Sequence, residues 1–127
     1  MAEGGRMKEE RGRDLKDRTK AFALEIIKLY STLPNSTVAQ VIGRQMLRSG
    51  TSVGAHYREA TRSRSDAEFI SKMEGGLQEL EETTYWLELL LDSGVVIHDA
   101  LSSLLNECDQ LTAILTTCVK NVKRRRS

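Results

Sequence analysis

At 127 residues and 14.3 kDa the chain has the size of one domain, which excludes a two-domain enzyme with its cleft between halves. A hydrophobic content of 39% with a single proline excludes a disordered or proline-rich protein, and 5% aromatic residues with nine scattered glycines fit a β-sandwich or barrel poorly. The formal net charge of +1, from 19 basic and 18 acidic residues, gives bulk charge no claim on a polyanionic partner.

Residues 1–13 alternate charges around Gly4, Gly5 and Gly12 without an apolar period, so they read as a flexible leader in which Met7 offers an internal start. They are too charged for the apolar segment of a signal peptide. From Asp14, an expected N-cap, Leu15, Thr19, Phe22, Ile26, Leu29 and Leu33 recur at spacings of four and three, which predicts an amphipathic helix over 14–33 stopped by Pro34. A second helix, 36–62, continues the period through Val38, Val41/Ile42, Gln45, Ser49, Ser52/Val53, His56 and Ala60 on an unusually polar face. Ser65-Asp66-Ala67-Glu68 is a capping box that opens a third helix, 66–93. That helix carries Phe69, Met73, Gly76, Leu80, Thr83/Thr84, Leu87 and Leu90/Leu91, and Gly94 is its expected C′ stop.

The fourth helix, 99–122, sets Leu101, Leu104, Cys108, Leu111, Leu115, Cys118 and Val122 at strict heptad spacing, so both thiols are expected to face a core. The two cysteines lie roughly 15 Å apart along one helix and cannot bridge within it. With no apolar run approaching ~20 residues, the sequence is expected to be that of a cytoplasmic protein with no membrane partner. Short connections favour an all-α, antiparallel up-down four-helix bundle over 14–119, followed by a basic tail at 120–127.

A turn near Arg62 to Ser65 sets Arg48 level with Glu79, Arg44 with Glu82 or Thr84, and Ser52 with Gly76. Charge supports this pairing: residues 44–64 hold five arginines against Glu59, and residues 65–92 hold eight acids against Lys72. These charges form either an ordinary solvated helix face or an ordered interhelical or intersubunit pair; a buried Arg48–Glu79 pair would fix register more than add stability. Enzyme signatures are weak. His56 and His98 lie on different elements, and no HExxH, CxxC or phosphate-binding glycine loop is present. Glu79 and Glu82 share a helix face, but a di-metal carboxylate site wants Glu-x-x-His on paired helices, so no catalytic residue, metal or cofactor is expected. Gly75-Gly76 reads as close packing, and His56 as a polar core or interface group. Trp86, at the edge of the third helix's seam, is either a lid over the core or an anchor for another subunit.

Lys120, Lys123, Arg124, Arg125 and Arg126 place five cations in the last eight residues. They either complement the negative pole of a helix C-terminus or bind phosphates by counterion release. Without interleaved aromatics such binding would follow the backbone and read sequence poorly.

The run Gln45-Met46-Leu47-Arg48-Ser49-Gly50-Thr51-Ser52-Val53-Gly54-Ala55-His56-Tyr57-Arg58-Glu59-Ala60 resembles the four-helix-bundle family encoded in intervening sequences of bacterial 23S ribosomal RNA genes. Asp66 to Met73 and Gln78 to Leu90 look like that family's third helix, and the resemblance covers about residues 14–120. It implies a bacterial, non-enzymatic bundle that assembles into a ring-like homo-oligomer, commonly a pentamer, with adjacent helices forming the subunit contacts. Related bundles include the accessory variability proteins of diversity-generating retroelements, which work beside a reverse transcriptase and bind nucleic acid through a basic surface. Where the family pattern usually has Asn after Gly-Ala this chain has His56, a departure that replaces the amide's hydrogen bonds by those an imidazole can make and allows assembly to respond to pH.

The function expected is therefore a non-enzymatic oligomeric scaffold that binds RNA, or DNA, or an RNA–protein complex. Its candidate contacts are Lys120, Lys123, Arg124, Arg125 and Arg126, and a nucleic-acid enzyme such as a reverse transcriptase is the candidate partner. Arg44, Arg48, Ser52, His56, Glu59, Glu79, Glu82 and Trp86 are the candidate structural or interface groups. The alternative is a protein-interaction module that binds no nucleic acid.

Overall fold

Pro34 and the Ser36 N-cap divide the first two helices: α1 is Ala2–Thr32 and α2 is Thr37–Thr61, with the Ser36 hydroxyl accepting from the Ala39 amide at 3.2 Å. The computed structural model describes residues 2–126, with side chains for 14–99 and 101–126. Ser65 caps α3, Asp66–Asp92, by accepting from the Glu68 amide at 3.1 Å, as the capping box predicts. The return arm of that box differs: Glu68 accepts from the Arg64 amide at 3.5 Å rather than from the cap's own N–H. Gly94, at φ 78°, ends α3 in the left-handed conformation expected of it, and α4 follows as His98–Arg126.

Two boundaries differ from expectation. Helical backbone begins at Ala2, so Asp14 is an interior position of α1 rather than its N-cap. Arg, Lys, Glu and Met are good helix formers and extend the helix N-terminally without contributing to the apolar period that located its start. The leader expected over 1–13 lies outside the described side chains. At the other end α4 runs to Arg126, so the expected basic tail is the last two turns of a helix.

Consecutive helices pack side by side, and α4 closes against α1. On α2 and α3 the facing pairs run in opposite sequence order, Ser49 with Thr83, His56 with Gly76 and Glu59 with Lys72. The core is the heptad seam of each helix: Phe22, Ile26, Met46, Met73, Leu80, Leu87, Leu101, Leu111 and Leu115 are all at most 2% exposed. This matches the sequence reading for α1, α3 and α4, although Cys118 is only half-buried while Cys108 is fully buried. Burial pushes the Cys108 thiol up to about 11.

On α2 the buried face follows the selected period only in part. Ser49, Val53 and Ala60 are buried as expected, but Val38 and Val41 are 55% and 54% exposed, and Ala39, Gly43, Met46, Gly50, Gly54 and Tyr57 face inward instead. The reason is close approach to α1. A Cβ on Gly50 would stand 2.8 Å from Ile26 Cγ1, and one on Gly54 3.2 Å from Thr19 Oγ1. Glycine contributes no hydrophobic signal to a sequence pattern, yet it lets a neighbouring large side chain reach the helix backbone.

Candidate interface: the polar α2–α3 seam and the basic pole

The seam between α2 and α3 brings together most of the polar residues selected from sequence. Arg48 Nη1 lies 3.2 Å from Glu79 Oε2 and Arg48 Nη2 lies 3.6 Å from Glu82 Oε1, so one guanidinium spans both carboxyls. Burial pushes Glu79 up. Opposing it, a hydrogen bond with Glu82, the Arg48 charge and bonds from Ser52 and Arg48 together hold the Glu79 carboxyl below the usual carboxylate range. Glu82 moves the other way, raised by its hydrogen bond to Glu79, by burial and by the neighbouring negative charge. The pair thus holds Glu79 ionised against Arg48 while Glu82 is the carboxyl that retains a proton more readily. Ser52 also donates to the Arg48 carbonyl at 2.6 Å.

Further along, Glu59 meets Lys72 Nζ at 2.8 Å, and this hydrogen bond with its charge lowers the Glu59 carboxyl and raises the Lys72 ammonium. Between the two ion pairs the seam is tight. Ser49 and Thr83 hydroxyls share a buried hydrogen bond of 2.8 Å, and Gly75 and Gly76 form the seat for the His56 ring. A Cβ on Gly75 would lie 2.9 Å from His56 Cε1 and Nδ1. Two buried polar atoms on this face, His56 Nδ1 and Trp86 Nε1, have no hydrogen-bond partner among the described residues. Trp86 is half-buried against the core and makes a tilted ring contact, 5.1 Å between centroids at 59°, with the exposed Tyr85.

Two expected pairings are absent. Arg44 is exposed and makes no ion pair among the described residues; Glu82 turns to Arg48 instead, one helical turn along α2. Gly76 faces His56 and the Val53 carbonyl rather than Ser52, because the helices are offset by a few residues from the register a tight turn gives.

The α4 end stands against the start of α3, with Lys123 Nζ 3.5 Å from Glu74 and Arg125 Nη2 3.6 Å from Asp66. Lys120, Lys123, Arg124, Arg125 and Arg126 are all exposed. Packing therefore gathers residues 58–74 and 120–126, nine cations against four acids, at one end of the bundle. The remaining described residues, 14–57 and 75–119, hold six cations against eleven acids. In a nearly neutral chain residues 58–74 and 120–126 thus carry net +5 and the remaining described residues net −5, with Asp14 of α1 standing beside Asn121 at the edge of this basic pole.

Sequence reasoning missed the best-formed ion pair. Arg18 on α1 reaches Glu107 on α4 with two bonds of 2.9 Å and adds 2.6 Å to Gln110 Oε1, joining the first helix to the last. The Glu107 hydrogen bond raises the Arg18 guanidinium further. The pattern offered a weak signal only, since both residues flank the heptad seams of helices 89 residues apart. Among the described residues no group of three or more His, Cys, Asp or Glu could hold a metal ion. No helix among them is long and apolar enough to cross a membrane.

Comparison with known proteins agrees with this architecture. A crystal structure of a protein of unknown function from the S23 ribosomal protein family of Bacteroides thetaiotaomicron superposes with a TM-score of 0.81 at 38% identity, covering 86% of this chain and 97% of that one. No curated protein matches. The family described as 23S rRNA-intervening sequence protein matches over residues 13–117, nearly the whole bundle including the Arg48–Glu79 seam, and the chain belongs to that family.

Proposed function

We propose that the chain is a non-enzymatic, cytoplasmic helical scaffold, an up-down bundle working as a ring-like homo-oligomer, that binds RNA or an RNA–protein complex through its basic pole. The segregation of charge into that pole carries the reading. Nine cations on α2, the following turn, α3 and α4 share one end of the molecule, and phosphate neutralisation by such a cluster releases counterions. The pairs Lys123–Glu74 and Arg125–Asp66 are solvent-exposed and so are weak competitors for phosphate. The pole has no exposed aromatic platform among its residues, which favours a structured RNA read by its backbone over a single strand read by stacking. A partner that itself handles RNA, such as a reverse transcriptase, fits the same surface.

Non-enzymatic use of the seam is supported by its geometry: the Glu79–Glu82 pair is closed by Arg48, and the His56 ring is packed on Gly75. One observation favours a second reading, a protein-interaction module. Lys123 and Arg125 already face acids of the same chain, which is how a merely solubilising helix end would look.

A labelled RNA hairpin titrated at several salt concentrations separates the two. The RNA reading expects binding whose log–log salt slope is roughly −3 to −4.5, for four or five phosphates contacted. The combined variant K120Q/K123Q/R124Q/R125Q/R126Q should abolish most of that slope. Absence of binding at low salt would overturn it and leave the protein-interaction module.

A further inference from the structure

The end of the bundle opposite the basic pole is built from uncharged residues. Facing pairs on α2 and α3 run in opposite order, so the start of α2 stands beside the end of α3, and the α1–α2 and α3–α4 turns cover that same end. Residues 31–43 and 93–97, which form it, contain no Asp, Glu, Lys or Arg. Its surface is apolar instead. Ile97 is 79% exposed, Val38 and Val41 are more than half exposed, and Leu33, Val95 and Val96 lie half-buried against the core. The turn at Gly94 stands open, with nothing within 4 Å of a Cβ built there.

We infer that copies of this chain meet end to end here, so that the rings of the proposed function stack in pairs with their basic poles facing outward. The inference rests on that ring-like assembly and adds to it a second contact, of helix ends rather than helix sides. Symmetry selects the occupant. Across a two-fold axis a surface meets itself, so a fixed charge near the axis meets its like, and of the two ends this one escapes that cost. The opposite end would set +5 against +5. Pairing through the apolar end instead holds the basic poles two helix lengths apart, ~75 Å from the 25 residues of α2, far beyond the ~10 Å screening length. RNA finds no cation on this end to neutralise its phosphates.

Area decides the strength of the contact. Four helices about 10 Å apart present an end of about 400 Å², so two ends together cover about 800 Å², short of the ~1,200 Å² of a stable specific complex. Single chains therefore pair weakly. Copies held side by side in a ring present their ends together, and the first contact raises the effective concentration for the others. Salt acts in the opposite sense to its action on RNA binding. Asp92 and Asp99 flank the α3–α4 turn and are exposed, so they face their counterparts across the contact, and screening strengthens the pairing.

Light-scattering mass of the full chain at micromolar concentration tests this, with I97D and V38D as the variants. Ile97 immediately precedes α4 and Val38 lies in the first turn of α2, positions where aspartate favours a helix, and circular dichroism checks that both variants fold. The wild type is expected at twice the mass of either variant, with the doubled species gaining share as salt rises. Equal masses of wild type and variants at every salt concentration overturn the inference and leave this end to a different partner. Variants of a larger wild-type assembly that fall to monomers also overturn it, because Val38 and Ile97 then belong to the ring contact itself. A wild type that is a dimer split by either variant keeps the end contact and overturns the ring; a monomeric wild type overturns both. The RNA titration judges the basic pole separately.

Discussion

Glycine-to-alanine substitution at Gly50 and at Gly76 makes the same chemical change in the interiors of two adjacent helices, and the structure predicts opposite outcomes. Alanine gains about 1 kcal/mol of helix propensity over glycine at either site, so this term cancels when the variants are compared with each other. At Gly50 the new Cβ would stand 2.8 and 2.9 Å from the two Cγ atoms of Ile26 and 3.3 Å from its Cβ. Ile26 is fully buried and β-branched, so it cannot rotate away, and α1 must move off α2 at a cost of about 1–3 kcal/mol. At Gly76 the nearest atoms are His56 Cβ at 3.5 Å and the Val53 carbonyl at 3.8 Å, which is ordinary contact. G76A should therefore be more stable than wild type by up to about 1 kcal/mol, and G50A should fall below G76A by about 1–3 kcal/mol. Urea unfolding followed by far-ultraviolet circular dichroism measures this difference, at one fixed protein concentration because self-association would add to apparent stability. Equal stability of the two variants, or G76A as the weaker, would refute the claim that α1 rests on the Gly50 backbone.

Three further outcomes follow from the polar groups. A double-mutant cycle on Arg18 and Glu107 should return a coupling of about 1 kcal/mol that weakens in salt, because the pair is bidentate and about three-quarters buried; a value near zero would make it a surface contact. For the seam carboxyls the signs oppose. Glu79, held low, contributes stability that is present above the usual carboxylate range and is lost as pH falls through its depressed value; Glu82, held high, is favoured while protonated and loses that contribution as pH rises through its raised value. E82Q keeps a donor toward Glu79 without the ionisation, so near pH 7 it should change stability by no more than a few tenths of a kcal/mol, and it should steepen the acid limb of the stability profile because the loss from Glu79 is then unopposed by the protonation of Glu82. Destabilisation above about 1 kcal/mol would show that Glu82 acts chiefly as an anion toward Arg48. Cys108, raised to about 11 by burial, should react with iodoacetamide only as fast as the bundle opens; rapid labelling of Cys108 in the native chain would contradict its place in the core.

Periodicity was sufficient to determine the all-helical class, the seams of α1, α3 and α4, and the stops at Pro34 and Gly94, because each is a local consequence of side-chain spacing, a missing amide or a permitted left-handed turn. The family and the Arg48–Glu79 pair were also legible, the pair although the helices sit a few residues off the tight-turn register, because two long side chains span that offset. What the sequence concealed depends on neighbours. The buried face of α2 is chosen by where Ile26 and Thr19 need backbone rather than side chain beneath them, and glycine carries no hydrophobic signal of that need. The Arg18–Glu107 bridge and the basic pole join segments far apart in the chain, and no local pattern encodes such proximity. A net charge of +1 is a property of composition alone; its separation into a basic pole and an acidic remainder exists only once α4 has folded back to bring its last two turns beside the start of α3.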